Sequence, residues 1–452
     1  MASAESAPVS DAEAADLFAP LRDRAGVALA VSGGPDSSAL LVLYARARRL
    51  DPGLPPAVVF TVDHGLRPEA AEEARAVATL AARHGLPHHT LAWTGERPSA
   101  NLQAEARRAR YRLTIEAARA LGLDALVTAH HAEDQAETFL ARLARGSGVV
   151  GLAAMAPMRR IDGMLLFRPF LEIAKARLMA TLVAHGEGWI EDPSNADPRF
   201  DRVRLRAAAP LLAELGLTRD RLTATARAMA RAAAAVEREV SAAVQRGVLV
   251  HDGGWSTLVP ETYAGLAEEV RLRLMSRLVR AVGGGDYGPR LEQVEDLDRV
   301  FAGGDAAVAI PARTLGGARI EQRAGRIWVS ADRGRGAPPV LDLAPGESGV
   351  WRGRWVRLAA EAPGAVRIAP LGGEGWRAIV AAGGLVPDVL GMPTPSAAVI
   401  ESTPAVHVEG RLVACPGLCH AIDPAAGWTG MVSIAPLSVV EAAIDAPFGS
   451  LR

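Results

Sequence analysis

Up to about residue 210, short apolar runs alternate with longer stretches of helical spacing. Residues 27–31, 57–62 and 125–129 are compact and apolar, each bounded by glycine, proline or polar turns. Between them, 68–84 and 102–121 carry apolar residues at three- and four-residue intervals, which predicts amphipathic helices. Strand–helix alternation of this kind predicts a doubly wound α/β domain, a parallel sheet covered on both faces. Ligands of such sheets sit at the carboxyl ends of the strands. Beyond Leu211 the pattern becomes Ala- and Arg-rich helix, clearest in "RLTATARAMARAAAAVEREVSAAVQRG" (221–247), with a further helical stretch over 261–282 ending at "GGGDYGP". Short alternating segments such as "RIEQ" and "RIWVS" follow, then "DRGRGAPP" (332–339), which reads as a linker. The remainder is rich in glycine, proline and short β-type segments, as expected of a small α+β domain. The expected division is 1–210, 211–335 (mostly helical) and 336–452.

Composition changes this picture little. With 452 residues, 49% of them hydrophobic, and a net charge of −1, the chain is long enough for two or three cored domains. Bulk charge gives no polyanion-binding signal, so a polyanion partner needs a local basic patch; "RRARYR" (107–112) and "RVRLR" (202–206) are such clusters. Cys415 and Cys419 alone exclude a disulfide framework and predict a reducing, cytoplasmic setting. Their spacing is not CxxC, and burial in a strand-rich region is expected of them. No apolar run reaches the length of a membrane span. The N-terminal segment lacks the basic and apolar regions of a signal peptide. Lys175 is the only lysine in the chain, an arginine bias that codon composition explains.

The chemistry gathers where apolar runs end. In "GVALAVSGGPDSSALLVLY" the loop 32–37 lies between a strand and a helix. Gly33 and Gly34 allow close backbone approach, and the amides opening the helix, with its dipole, form an anion site. Ser32 and Ser37 add hydroxyl donors. This loop matches neither the Walker pattern nor GxGxxG. Asp36 stands beside the expected phosphates, which calls for an intervening cation such as Mg²⁺.

SGGxDS after the first strand resembles the PP-loop of the N-type ATP pyrophosphatases, which cleave ATP to AMP and pyrophosphate. Further motifs separate the members of that superfamily. "VDHGLRPEA" (62–70), "NLQAEARRARYR" (101–112), "AHHAEDQAETFLARLARGSG" (129–148), "RPFLEIAKARL" (168–178) and "EDPSNADPRFDRVRLR" (191–206) follow in order. Together they resemble the tRNA(Ile)-lysidine synthetase family, with "GWRAIV" (375–380) similar to its C-terminal domain. Val203 stands where that family's pattern has an asparagine.

The resemblance implies a PP-loop catalytic domain, a helical middle domain and a C-terminal domain that contacts tRNA. It implies ATP and Mg²⁺ as cofactors, tRNA(Ile) with a CAU anticodon and free L-lysine as partners, no membrane partner, and leaves a homodimer open. The implied reaction is adenylation of the wobble cytidine's C2 oxygen, then displacement of AMP by the lysine side-chain amine. The implied catalytic residues are Asp36, Arg110, His130, Asp134 and Glu137. Ser32, Gly33, Gly34, Pro35, Asp36, Ser37, Asp63 and His64 hold the nucleotide, with Asp36 the metal ligand. Of the adjacent His130 and His131, one is expected near the phosphates or the reacting base. Asp134 and Glu137, three apart on a helix, suit either Mg²⁺ or the lysine α-ammonium; Arg107 and Arg110 suit phosphate charge. The amine's pKa of about 10.4 makes the neutral nucleophile cost about 4.6 kcal/mol at pH 7, so the site must depress that pKa or supply a base. A tRNA thiolase on this scaffold needs cysteines near the loop, and the catalytic region has none. An amide-forming synthetase has no use for HHxxDQxET. A non-catalytic nucleotide-binding module needs the loop but not Asp36, Asp134 and Glu137 together.

Overall fold

The computed structural model describes residues 6–63, 70–93, 102–161, 163–191, 201–251, 253–283, 288–332, 334, 339–352, 354–381, 395–418 and 431–436. The chain divides into two compact units, Met1–Ala232 and Ala233–Arg452.

The first unit runs α1 (Asp11–Phe18), β1 (Val27–Ala30), α2 (Pro35–Leu50), β2 (Ala57–Asp63), α3 (Ala70–Arg83), β3 (His88–Ala92), α4 (Leu102–Ala120) and β4 (Ala125–Val127). It continues through α5 (Ala132–Leu143), α6 (Val149–Leu152), β5 (Met158–Ile161), β6 (Met164–Phe167), α7 (Lys175–Ala184), α8 (Asp201–Glu214) and α9 (Arg219–Gly247). The strands form one sheet in the order β3-β2-β1-β4-β6-β5. All its pairs are parallel except the β5–β6 hairpin at the edge.

Strand periodicity explains how both faces are covered. Val27 and Leu29 of β1, Ala57 and Val59 of β2, Ala125 and Val127 of β4, and Phe167 of β6 pack into one core with α1, α2 and α7. The alternate residues Ala28, Phe60, Leu126, Met164 and Leu166 pack into a second core with Ile115 and Ala118 of α4. The doubly wound arrangement expected from the strand–helix alternation is present. α2 is buried along most of its length, from Ser37 through Ala45, so the loop that opens it is anchored to the centre of the domain. Pro35 occupies the first turn of α2 after Gly34 as N-cap, where its missing N–H costs no hydrogen bond.

The second unit begins within α9. β7 (Val248–Val250), β8 (Ser256–Leu258), α10 (Pro260–Ala264), α11 (Glu268–Gly283), α12 (Leu291–Phe301), β9 (Ile310–Leu315), β10 (Ala318–Arg323) and β11 (Arg326–Ala331) follow. The five strands form an antiparallel sheet, β7-β8-β11-β10-β9, sharing a core with α11 and α12. The stretch read from sequence as mostly helical thus also carries a sheet, of which the short alternating segments were the visible part. "RIEQ" and "RIWVS" are its paired strands β10 and β11. Two small antiparallel sheets complete the unit, with α13 (Gly372–Ala381) holding the "GWRAIV" segment. Trp255 and Trp328 share a core with Leu371, Ile379, Val399 and Cys415. Cys415 is buried, its Sγ 3.5 Å from the Pro404 carbonyl; Cys419 lies outside the described residues.

Candidate active site

Sheet order brings the motifs together. β1 lies between β2 and β4, and β6 lies on the far side of β4. The carboxyl ends of β1, β4 and β6 therefore deliver the loop 32–37, the segment 128–131 and the segment 168–174 side by side, at the point where strand order reverses. Cross-links fix these ends. Thr128 N–H donates to the Phe167 carbonyl and Ala132 N–H to that of Ile173, both at 3.0 Å. Ile190 N–H donates to the Gly33 carbonyl at 2.9 Å, and Thr61 Oγ1 to that of Val31 at 2.9 Å.

The loop braces itself. Ser32 N–H donates to Ser37 Oγ, and Ser37 Oγ donates to the Gly34 carbonyl, both at 3.1 Å. Ser38 Oγ reaches the Gly33 carbonyl at 3.1 Å. Two serines expected as phosphate donors thus also shape the loop. Gly33 has φ +88°, and a Cβ there would lie 2.6 Å from Ile190 Cδ1, so both backbone and packing require glycine. At Gly34 a Cβ would meet no described atom within 4 Å. That side of the loop is open to a ligand, towards the first-turn amides of α2 that helix geometry leaves without intrahelical acceptors.

Beside the loop lies a cluster of alternating charge. Asp36 Oδ2 is 3.5 Å from His131 Nε2 and 3.6 Å from Lys175 Nζ. Its Oδ1 is buried and makes no hydrogen bond with any described residue. His131 is buried, with Nδ1 donating to Glu133 Oε2 at 3.0 Å and Nε2 lying 3.4 Å from Asp134 Oδ2. Burial opposes its protonation, but the hydrogen bonds to Asp36 and Glu133 and the charge of Asp134 prevail, pushing its pKa up to about 10. Glu133 feels the same contest: burial raises its pKa, while His131 and the Lys175 N–H bring it down to about 2. That N–H donates to Glu133 Oε2 at 3.0 Å, and Arg219 Nη1 to Oε1 at 3.2 Å. Glu133 thereby ties the starts of α5, α7 and α9 together.

Glu137 is buried one turn further along α5; its Oε1 accepts from Arg206 Nε at 2.9 Å and lies 2.8 Å from Nη2 in an ion pair. Behind it, Ala136 and Phe139 pack on Leu222 and Ala226 of α9. Asp134 Oδ2 also accepts the His131 N–H at 3.1 Å.

The other expected residues stand as follows. His130 is half-buried, its Nδ1 2.9 Å from Thr128 Oγ1. Asp63 ends β2, its carbonyl accepting from Trp93 N–H at 2.9 Å. Arg110 is exposed on α4. His64 lies outside the described residues, as does the side chain of Arg107. The fold brings Asp36 and Asp134 together around His131, the neighbour of the His130 expected as catalytic. Glu133, Arg206 and Arg219 were not singled out from sequence, and Lys175 was noted only as the single lysine; Glu133, Lys175 and Arg206 lie inside quoted motifs, but nothing local marks their partners.

Among the described residues, no three or more His, Cys, Asp or Glu side chains are grouped to hold a metal by themselves. Asp36 still fits a cation shared with substrate oxygens, because its buried Oδ1 lacks a donor. No helix among the described residues is long and apolar enough to cross a membrane.

Comparison with known proteins agrees with this geometry. A family model described as a PP-loop domain matches residues 7–212, and the chain uses ATP. The tRNA(Ile)-lysidine synthase of Bradyrhizobium sp. strain BTAi1 is 45% identical over 74% of this chain and 96% of its own length. That of Methylobacterium nodulans is 48% identical over 69% and 92%. Among solved structures, the U34-tRNA thiolase NcsA from Methanococcus maripaludis with its 4Fe-4S cluster aligns at a TM-score of 0.41 and 13% identity, covering 48% of this chain and 78% of that one. The tRNA(Ile)-lysidine synthase of Ruegeria pomeroyi is 41% identical over 89% of this chain and 90% of its own length. With relatives of that identity covering most of this chain and of their own length, the chain belongs to the tRNA(Ile)-lysidine synthase family.

Proposed function

We propose that this chain ligates free lysine to the wobble cytidine of the CAU anticodon of tRNA(Ile). In the first step the cytidine O2 attacks the α-phosphorus of ATP, and pyrophosphate leaves with the electrons of the broken P–O bond. In the second the lysine side-chain amine attacks C2. The C2–O bond breaks, AMP departs with that oxygen, and the nitrogen gives up a proton. The product, lysidine, pairs with A instead of G, so the anticodon reads AUA instead of AUG.

The observation that carries this reading is Asp36, a carboxylate inside a phosphate-binding loop with one buried oxygen that no described residue satisfies. Mg²⁺ would be held there together with phosphate oxygens, neutralising their charge as the P–O bond breaks. Ser32, Gly33, Gly34, Pro35 and Ser37 shape the cradle, and Asp63 and His64 border the adenosine. Arg110 and His130 face the reacting base and phosphates. Asp134 and Glu137 take the lysine α-ammonium, which leaves the side-chain amine in a drier pocket where its pKa falls. Arg206, with a hydrogen bond and an ion-pair contact to one oxygen of Glu137, fixes that carboxylate's direction.

Methionine tRNAs share the CAU anticodon, so discrimination requires contacts elsewhere on the tRNA. Residues 211–452 take that role, with 211–335 a middle domain and 336–452 a tRNA-contacting domain. Their phosphate contacts make binding salt-dependent.

The order of product release tests the reading. Pyrophosphate release should need ATP and the tRNA but not lysine, whereas AMP release should need all three. AMP release indifferent to lysine would overturn it.

A further inference from the structure

We propose that Lys175 contacts the β- and γ-phosphates of ATP, its ammonium resting on Asp36 before the nucleotide binds and moving onto the departing pyrophosphate when it does. This rests on the ATP-dependent ligation proposed above and assigns a residue to its leaving group.

Lys175 is the first residue of α7, reached from the carboxyl end of β6. Its backbone is pinned, because its N–H is held by Glu133 Oε2 at 3.0 Å. Its side chain is not pinned in the same way. At 3.6 Å from Asp36 Oδ2 with 35% of the side chain exposed, Nζ makes a charge contact longer than a good hydrogen bond.

Among the described residues, the cluster's other cations are committed. His131 is buried and lies within 3.5 Å of carboxylate oxygens on three residues. Arg219 pairs with Glu133 and Asp220. Lys175 is therefore the cation, among the described residues of the cluster, placed to change partners. A cation shared between Asp36 and the phosphates would repel the ammonium from Asp36 and leave it beside negatively charged oxygens. The residue type fits such a move: an ammonium on a four-carbon stem pivots, whereas a guanidinium prefers a planar, two-toothed partner. Arginine fills every other basic position of the chain. The bias that explains arginine elsewhere makes a lysine here informative.

The single lysine also supplies the test. Wild-type enzyme is acetylated with an amine-directed reagent, and the label on the Lys175 peptide is followed by mass spectrometry, without tRNA or free lysine. Saturating Mg²⁺·ATP should slow labelling of Lys175 about tenfold or more. Mg²⁺·pyrophosphate should also protect, and AMP should not. By equilibrium dialysis Lys175→Gln should bind ATP about 10- to 100-fold more weakly, with Lys175→Arg recovering part of the loss and both variants melting like wild type. An unchanged labelling rate in ATP, protection by AMP but not pyrophosphate, or wild-type ATP affinity in Lys175→Gln would overturn the assignment. Enzyme that binds ATP normally without protecting Lys175 would defeat this inference alone. Enzyme that binds no ATP would defeat both it and the reading beneath it.

Discussion

Asp36→Ala should lower pyrophosphate release from ATP and tRNA by about 10²- to 10³-fold, with little change in melting temperature. The two halves of that expectation have separate causes. The catalytic loss follows if Asp36 supplies the one loop carboxylate able to hold a cation against the phosphates. Stability is spared because the deletion cuts both ways. It removes the contacts to His131 and Lys175 at 3.5 and 3.6 Å. It also removes a buried Oδ1 with no donor among the described residues, a defect that costs about 1–3 kcal/mol. Turnover near the wild-type rate at saturating Mg²⁺ would show that Asp36 is not the metal ligand. A large fall in melting temperature would show instead that the carboxylate is scaffold.

Glu137→Gln should raise the KM for lysine about 10- to 100-fold, the value of a charged contact converted to neutral, while the KM for ATP stays near wild type. Glutamine has the same shape and keeps an acceptor for Arg206, so the buried position on α5 is retained. A KM effect with kcat preserved marks an interaction made equally in ground and transition states, as holding the substrate's α-ammonium requires. If the ATP and lysine constants rose together, Glu137 would belong to the metal or to the framework that Arg206 supports.

The layered fold was legible because each central strand is an apolar run flanked by turn residues, and because the loop's chemistry follows directly on the first of them. β3 was harder to see. Its sequence, "HHTLA", is largely polar, and it lies at the sheet edge with only Leu91 packed against a core. In the second unit only β10 and β11 showed as alternating segments; β7 and β8, three residues each, follow directly on a long helix and gave no pattern of their own.

Within the site, residue types were legible and partners were not. His130 and His131 are indistinguishable as letters. The extended backbone at His131, φ −120° and ψ −177°, is the kind that sends successive side chains to opposite sides. One imidazole enters the charged cluster, and its neighbour turns to Thr128. Glu137 and Arg206 meet across 69 residues, and Lys175 meets Asp36 only because β6 and β1 flank β4 in the sheet. Such pairings are properties of sheet order and helix placement, which no local pattern encodes. Gly33 is the opposite case: its positive φ and its contact with Ile190 are what a glycine in that loop leads one to expect.

The most direct measurement is the mass of the nucleoside at the wobble position after incubating the enzyme with ATP, free lysine and isoleucine tRNA bearing a CAU anticodon. The expected product is a cytidine heavier by one lysine less one water, formed only when all three substrates are present and absent from methionine tRNA treated alongside. A wobble nucleoside of unchanged mass, one that had gained sulfur, or equal modification of methionine tRNA would contradict the account.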